Sequence, residues 1–240
     1  MPDKVLLKVK EMETYIGQYH ILQGINLEVP EGHVTVLIGR NGAGKTTTLR
    51  SIIGLTPPSK GSVEFNGEMI HGLPPYIIAR KGMALVPEDQ GIFSQLTVEE
   101  NFKIAMHKED KETMDRKDWI LDIFPDLKPK LKLKAGSLSG GQKQMLSISR
   151  SLVNNSKLLL IDEPSKGLAP IMVETLANAI KQIKDHTTVV LVEQNFWLAS
   201  EVGERYYIID DGQTVQEGIM ADLVKDKVLQ KRYLGIGTKE

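Results

Sequence analysis

The sequence predicts an α/β fold: a mostly parallel sheet with flanking helices, interrupted by a helical insertion. Three observations predict it. A strand, a glycine-rich turn and a helix follow one another over residues 33–54. A second strand–helix–strand alternation occupies residues 157–194, the pattern of a parallel βαβ unit. Between them, residues 87–137 are charge-rich with helical patterning and contain no strand candidate.

Each element has a local cause. Residues 6–9, 25–29, 34–38 and 63–65 are short apolar or alternating runs. Pro30, Glu31 and Gly32, then Asn66 and Gly67, supply turns between them. The helix after the glycine-rich turn ends at Gly54, with Pro57 and Pro58 beyond it. Thr97 and Glu100 form a capping box, in which the hydroxyl accepts from the backbone three residues on and the glutamate reaches back, so a helix starts near Thr97. Ser139 and Gln142 repeat that pattern ahead of apolar residues at helical spacing. The sheet then returns with an apolar strand ending at Asp162, a helix over 173–183 and a strand over 187–194. A hairpin turning on Asp211 and Gly212 and a closing helix over 221–234 complete the chain.

Composition narrows the function classes. The chain has 240 residues, 41% hydrophobic and 25% charged, enough to bury a core within a radius of gyration of roughly 18 Å. It has no cysteine, which excludes a disulfide framework, a thiolate zinc site and a thiol nucleophile. The five histidines lack paired ligand spacing. A net charge of −1 gives no global basic field, so nucleic acid is not an expected partner. The amino terminus, charged from Asp3, does not read as a secretory signal. The most apolar stretches, 158–161 and 189–192, are strand-length, against the ~20 residues of a membrane-spanning helix. The expectation is a cytoplasmic protein that meets a membrane only through a partner.

Gly39, Arg40, Asn41, Gly42, Ala43, Gly44, Lys45 and Thr46 match G-x-x-x-x-G-K-[ST] in full, after a strand and opening a helix. The glycines let consecutive backbone N–H groups converge on a phosphate, the helix dipole favours negative charge, and Lys45 reaches the β- and γ-phosphates. Thr46 offers a hydroxyl to Mg²⁺, and Thr47 lies beside it in the same nucleotide-binding run. A phosphate loop of this class needs a second strand that brings a carboxylate to the metal. Asp162 emerges at the end of one, which leaves Glu163 free to act as general base toward water. Ser139, Gly140, Gly141 and Gln142 form another phosphate-grade helix start: a serine hydroxyl and glycine amides at the positive end of a dipole.

With these three motifs the sequence resembles the ATP-binding-cassette (ABC) ATPases over roughly residues 5–235. The resemblance implies a P-loop NTPase core with an antiparallel β subdomain and a helical signature subdomain. Residues 1–86 and 156–240 would form the core and 87–155 the helical subdomain, within one domain spanning 1–240. It implies ATP and Mg²⁺ as ligands. It also implies a head-to-tail dimer, with itself or a sibling cassette, in which Ser139 to Gln142 of one subunit face the γ-phosphate bound on the other. Residues 165–170 resemble the loop that crosses that interface, with Lys166 an unusual charge in it.

The smaller motifs depart from the family pattern. Glu88 stands where most cassettes carry a glutamine, with Gln90 two residues on. A glutamate coordinates Mg²⁺ through oxygen but adds negative charge and cannot donate. Gln194 stands where most carry a γ-phosphate-sensing histidine, and an amide donates but cannot become a cation. The adenine-stacking aromatic normally precedes a glycine. Here Ile16 precedes Gly17, and Tyr15, one residue early, stacks only if the chain is irregular there.

The phrases VPE, GLAP, VEQN and YLGI look most like the cassettes of branched-chain amino-acid importers. That likeness implies an integral membrane permease, docked through residues 93–105 and the Glu88 loop, and indirectly a solute-binding protein. An exporter cassette for lipid or lipopolysaccharide, and a regulatory or non-transport cassette, remain alternatives.

Overall fold

The computed structural model describes residues 4–235; Asp3 of the amino-terminal charge pattern and Ile236 of the YLGI phrase lie outside them. The chain opens with strands β1 (Val5–Ile16), β2 (Tyr19–Pro30) and β3 (Val34–Ile38), followed by helix α1 (Lys45–Ile52). Strands β4 (Lys60–Phe65) and β5 (Glu68–Met69), helix α2 (Pro75–Arg80) and strand β6 (Met83–Val86) come next. Helices α3 (Val98–Ala105), α4 (Lys111–Ile123) and α5 (Gly140–Leu152) occupy the middle, with 3₁₀ turns between the last two. Then β7 (Leu158–Asp162), α6 (Pro170–Lys184), β8 (Thr188–Glu193), α7 (Phe196–Val202), β9 (Arg205–Asp210) and β10 (Gln213–Ile219) build the last third. The described chain ends in α8 (Met220–Lys225), a three-residue α9 (Lys227–Leu229) and a π turn.

Two sheets result. The antiparallel one runs β2-β1-β4-β5, and the six-stranded one runs β10-β9-β3-β8-β7-β6, with only β10 antiparallel to its neighbour. The consequence for function is the strand order: β8 lies between β3 and β7, so the carboxyl ends of three adjacent parallel strands open onto one place. Ile38 is in register with Glu193, and Asp162 with Val192.

Side-chain alternation divides the core. Val34, Val36, Leu159, Ile161, Val189 and Leu191 face one cluster shared with Phe102, Phe124 and Leu146 of the helical region. Leu37, Leu158, Leu160, Val190 and Val192 face the other, shared with α1 and the antiparallel sheet. The central strands β3, β7 and β8 are buried on both faces, which is why they read as near-continuous apolar runs.

Some elements differ from the sequence reading. The closing helix is broken at Asp226, whose carboxylate accepts from the N–H groups of Val228 and Leu229 and so starts a new helix instead of continuing the old one. The first hairpin is far longer than the apolar runs suggest, because register shifts in β1 disturb the alternation. The apolar face of α3 is core at Val98 and Phe102, and the outward apolar residues of this region are Phe93 and Ile104.

Both capping boxes form as the sequence predicts, at Thr97 and at Ser139. The loop before α3 is tied down by Asn101, fully buried, which accepts from Phe93 N–H at 2.9 Å and donates to the carbonyls of Phe93 and Thr97 at 3.0 and 2.9 Å. Replacing Asn101 by alanine orphans those backbone groups. We expect a destabilisation of about 3 kcal/mol and a fall in Tm of roughly 6–12 °C; thermal unfolding within about 2 °C of wild type would show that water satisfies them instead.

Candidate functional site

The site is assembled where β3, β8 and β7 end. β3 leads into the loop of residues 39–44, where the backbone conformation calls for glycine at Gly39 and Gly44. A Cβ on Gly39 (φ +157°) would lie 2.1 Å from the Ile209 carbonyl oxygen, and one on Gly44 (φ +106°), the residue that caps α1, would lie 2.8 Å from Leu22. The loop folds around Lys45, which is buried and donates to the carbonyls of Gly39 and Arg40 at 3.0 Å each. Its ammonium stands 3.7 Å from Glu163 Oε1. Burial lowers the Lys45 pKa, and the carboxylates of Glu163 and Asp162 oppose that.

β7 delivers the two acids. Asp162, 3% exposed, accepts from the Thr46 hydroxyl at 3.1 Å. Burial pushes it up to about 6; Thr46 acts against this, while Glu163 and Glu88 add to it. Glu163 follows in a left-handed conformation (φ +44°), its N–H bonded to the Val192 carbonyl at 2.9 Å. Its Oε1 accepts from the Gln194 side-chain amide at 2.5 Å. Asn41, Glu163, Ser165, Lys166, Glu193, Gln194 and Asn195 enclose a polar cavity of about 340 Å³. A second cavity, of about 460 Å³, is bounded by Thr46, Glu88, Asp89 and Asp162. Thr46 and Asp162 bring a hydroxyl and a carboxylate together there, oxygen donors of the kind a hard divalent cation takes, and Glu88 borders the same space; among the described residues no three acidic, histidine or cysteine side chains group closely enough to hold a metal ion by themselves.

Of the residues singled out from sequence, the structure thus brings together Lys45, Thr46, Glu88, Asp162, Glu163 and Gln194. Glu88, which lines the cavity that holds Asp162, is paired with Lys166 at 2.5 Å. The other candidates lie elsewhere. Among the described residues, Ser139, Gly140, Gly141 and Gln142 make no hydrogen bond to the phosphate loop; Ser139 Oγ is taken up by Gln142 N–H at 3.3 Å. Their link to the site runs through Gln90, whose amide donates to Gly140 O at 3.4 Å. Tyr15 sits beside a register shift and stacks on His20, with ring centroids 4.2 Å apart and planes 3° from parallel. Glu193 is a site residue that the sequence reading did not single out, and Ser165 entered that reading only as the first residue of the 165–170 loop. The signal for Glu193 was a lone acid closing a strand of one threonine and four apolar residues.

A profile of the family described as "ABC transporter" matches residues 22–166. The chain belongs to the ABC transporter family. It is 40% identical over 96% of its length to the high-affinity branched-chain amino acid transport ATP-binding protein BraG of Pseudomonas aeruginosa, all of which is covered. It is 36% identical, over 96% of this chain and 99% of the relative, to the probable branched-chain amino acid transport ATP-binding protein LivF of Archaeoglobus fulgidus. The lipopolysaccharide export system ATP-binding protein LptB of Escherichia coli is 31% identical, over 93% of this chain and 94% of its own.

Among solved structures, a nucleotide-free ATP-binding cassette from an ABC transporter superposes with a TM-score of 0.84 at 25% identity, covering 98% of this chain and all of that one. A dimeric post-hydrolysis cassette bound to ADP and phosphate superposes at 0.79 with 26% identity, over 90% of this chain and 99% of that one. The ABC protein described here is therefore an ATPase coupled to transport. No helix among the described residues is long and apolar enough to cross a membrane.

The Asp162 shift has a consequence for the metal-free ABC protein. Its folded value of about 6 lies above the unfolded ~3.9, so the native state binds more protons between those limits and stability falls as pH rises through them. Asp162→Asn removes the buried charge. In metal-free, nucleotide-free buffer it should raise Tm at pH 7.5, and the gain should vanish near pH 4; a Tm difference independent of pH would show that Asp162 is not the titrating group.

Proposed function

We propose that this chain is the ATP-hydrolysing subunit of an importer of a small solute, a branched-chain or other amino acid, bound to a separate membrane permease on the cytoplasmic face. The observation that carries it is the meeting of Lys45, Thr46, Asp162 and Glu163, with Gln194 on Glu163, at the ends of three adjacent strands. The amino-acid cargo is supported by the likeness to BraG and LivF, which exceeds that to LptB. Lipopolysaccharide export is the second reading, and LptB is the observation behind it.

The residues divide the work. Residues 39–47 wrap the phosphates of ATP, and Lys45, now held by two carbonyls, turns its ammonium to the β- and γ-phosphates. Thr46 and Asp162, joined by Glu88, would hold Mg²⁺, which supplies charge neutralisation on the phosphates. Glu163 accepts the proton of the attacking water, with its carboxylate oriented by the Gln194 amide. Ser139, Gly140, Gly141 and Gln142 serve the nucleotide of a second cassette in a head-to-tail dimer, since in their own chain they reach no phosphate loop. Tyr15 is the adenine platform this reading assigns, lying beside the hairpin turn in a stack with His20.

Two variants separate binding from chemistry. Glu163→Gln should lower turnover roughly 10²- to 10⁴-fold with ATP affinity retained; turnover at the wild-type rate would remove Glu163 as the base. Lys45→Ala should weaken ATP binding itself, and unchanged affinity by calorimetry would overturn the phosphate-loop assignment. Uptake of labelled leucine by proteoliposomes holding the permease and this subunit tests the cargo: ATP-dependent uptake supports import, whereas extraction of lipopolysaccharide supports the second reading.

A further inference from the structure

We propose that Glu193 is a positioning residue for hydrolysis, stapling the turn that carries Glu163 to the turn that carries Gln194. It rests on the reading of Glu163 as general base. Glu193 closes β8 at 1% exposure, in a strand whose other residues are Thr188 and four apolar side chains. Its Oε1 accepts from Ser165 N–H at 3.0 Å, and its Oε2 from the N–H groups of Gln194 and Asn195 at 3.0 Å each. Among the described residues no lysine, arginine or histidine forms an ion pair with it, so backbone N–H groups carry its charge. Burial pushes the carboxyl up, and the Ser165 side chain and those N–H groups act against this.

A buried carboxylate is tolerated here because three N–H groups pair with it, and an apolar residue in its place would leave those donors unpaired. What the carboxylate adds is connection. Ser165 lies two residues beyond Glu163, whose left-handed backbone is disfavoured for a residue with a Cβ and persists only where its surroundings fix it. On the other side, Glu193 fixes the backbone of Gln194, whose amide meets Glu163 Oε1 at 2.5 Å. One carboxylate thus sets both ends of the contact that aims the base.

Glu193→Gln keeps the shape but turns one acceptor into an amide donor facing N–H groups. Hydrogen exchange of the nucleotide-free protein, ATP affinity and turnover are measured for this variant, alone and combined with Glu163→Gln. Exchange at Ser165, Gln194 and Asn195 should speed up about tenfold or more while amides of the β3 core stay protected. Turnover should fall about 10- to 100-fold with ATP Kd within about twofold, the signature of a misplaced base. Added to Glu163→Gln, the change should alter residual turnover by less than about twofold, because both act through one group.

Unchanged exchange, unchanged turnover, or an equal loss in both backgrounds overturns the proposal. Glu193→Asp, which restores two acceptors on a shorter arm, should recover part of both exchange protection and turnover; recovery of neither overturns it as well. Wild-type turnover in Glu163→Gln alone sinks the general-base reading instead, and the exchange rates then still decide whether the staple exists.

Discussion

The structure depends on one constraint: four charged side chains, Lys45, Asp162, Glu163 and Glu193, are held out of water where three parallel strands end. Ionised groups in such a place are tolerated only when each has partners. Here each does. Lys45 has two carbonyls and a carboxylate, Asp162 has the Thr46 hydroxyl, Glu163 has Gln194 and Lys45, and Glu193 has three backbone N–H groups. The partners come from three different loops, so the loops are mutually defined. The strands beneath them, buried on both faces, make the platform rigid enough to set these distances.

The charge of Glu88 takes its meaning from Lys166. Both side chains are largely solvent-exposed, so their ion pair contributes little to stability. Its place matters more than its strength. Glu88 alone would add a second negative charge beside Asp162, whose pKa it already helps to raise. Lys166, from the loop after β7, returns a positive charge to the same edge, where its ammonium is held charged by Glu88. The two unusual residues of the sequence thus form a compensating pair, and neither would be read correctly alone.

What was legible in the sequence is what is local in the chain. The phosphate loop is a contiguous run whose glycines are demanded by backbone approach. Asp162 and Glu163 follow an apolar strand, and both capping boxes span four residues. What was not legible depends on distant partners. Glu193 looks like a strand terminus until Ser165, 28 residues earlier, is seen to donate to it. Asp226 reads equally as a helical surface residue or an N-cap, and the folded chain uses it as the latter. Tyr15 and His20 are direct cross-strand partners next to the hairpin turn, beside a register shift, and their rings lie face to face.

The loop after β6 is the remaining piece, and its bonding explains how a site on the sheet is joined to the signature helix. Gln90 adopts a left-handed conformation, φ +67°, and turns the chain back toward α5. Its carbonyl accepts from the Ser147 hydroxyl at 2.5 Å and its side chain donates to Gly140 O, while Arg150 donates to the Gly91 carbonyl and lies over the Phe93 ring at 4.9 Å. Glu88 stands at one end of this loop, beside Asp162, and the start of α5 at the other. Because Asn101 ties Phe93 to α3, the same loop is fixed to the helical region on its far side. Glu88 therefore belongs to a bonded assembly that contains Gly140 and the start of α5, not to a free loop.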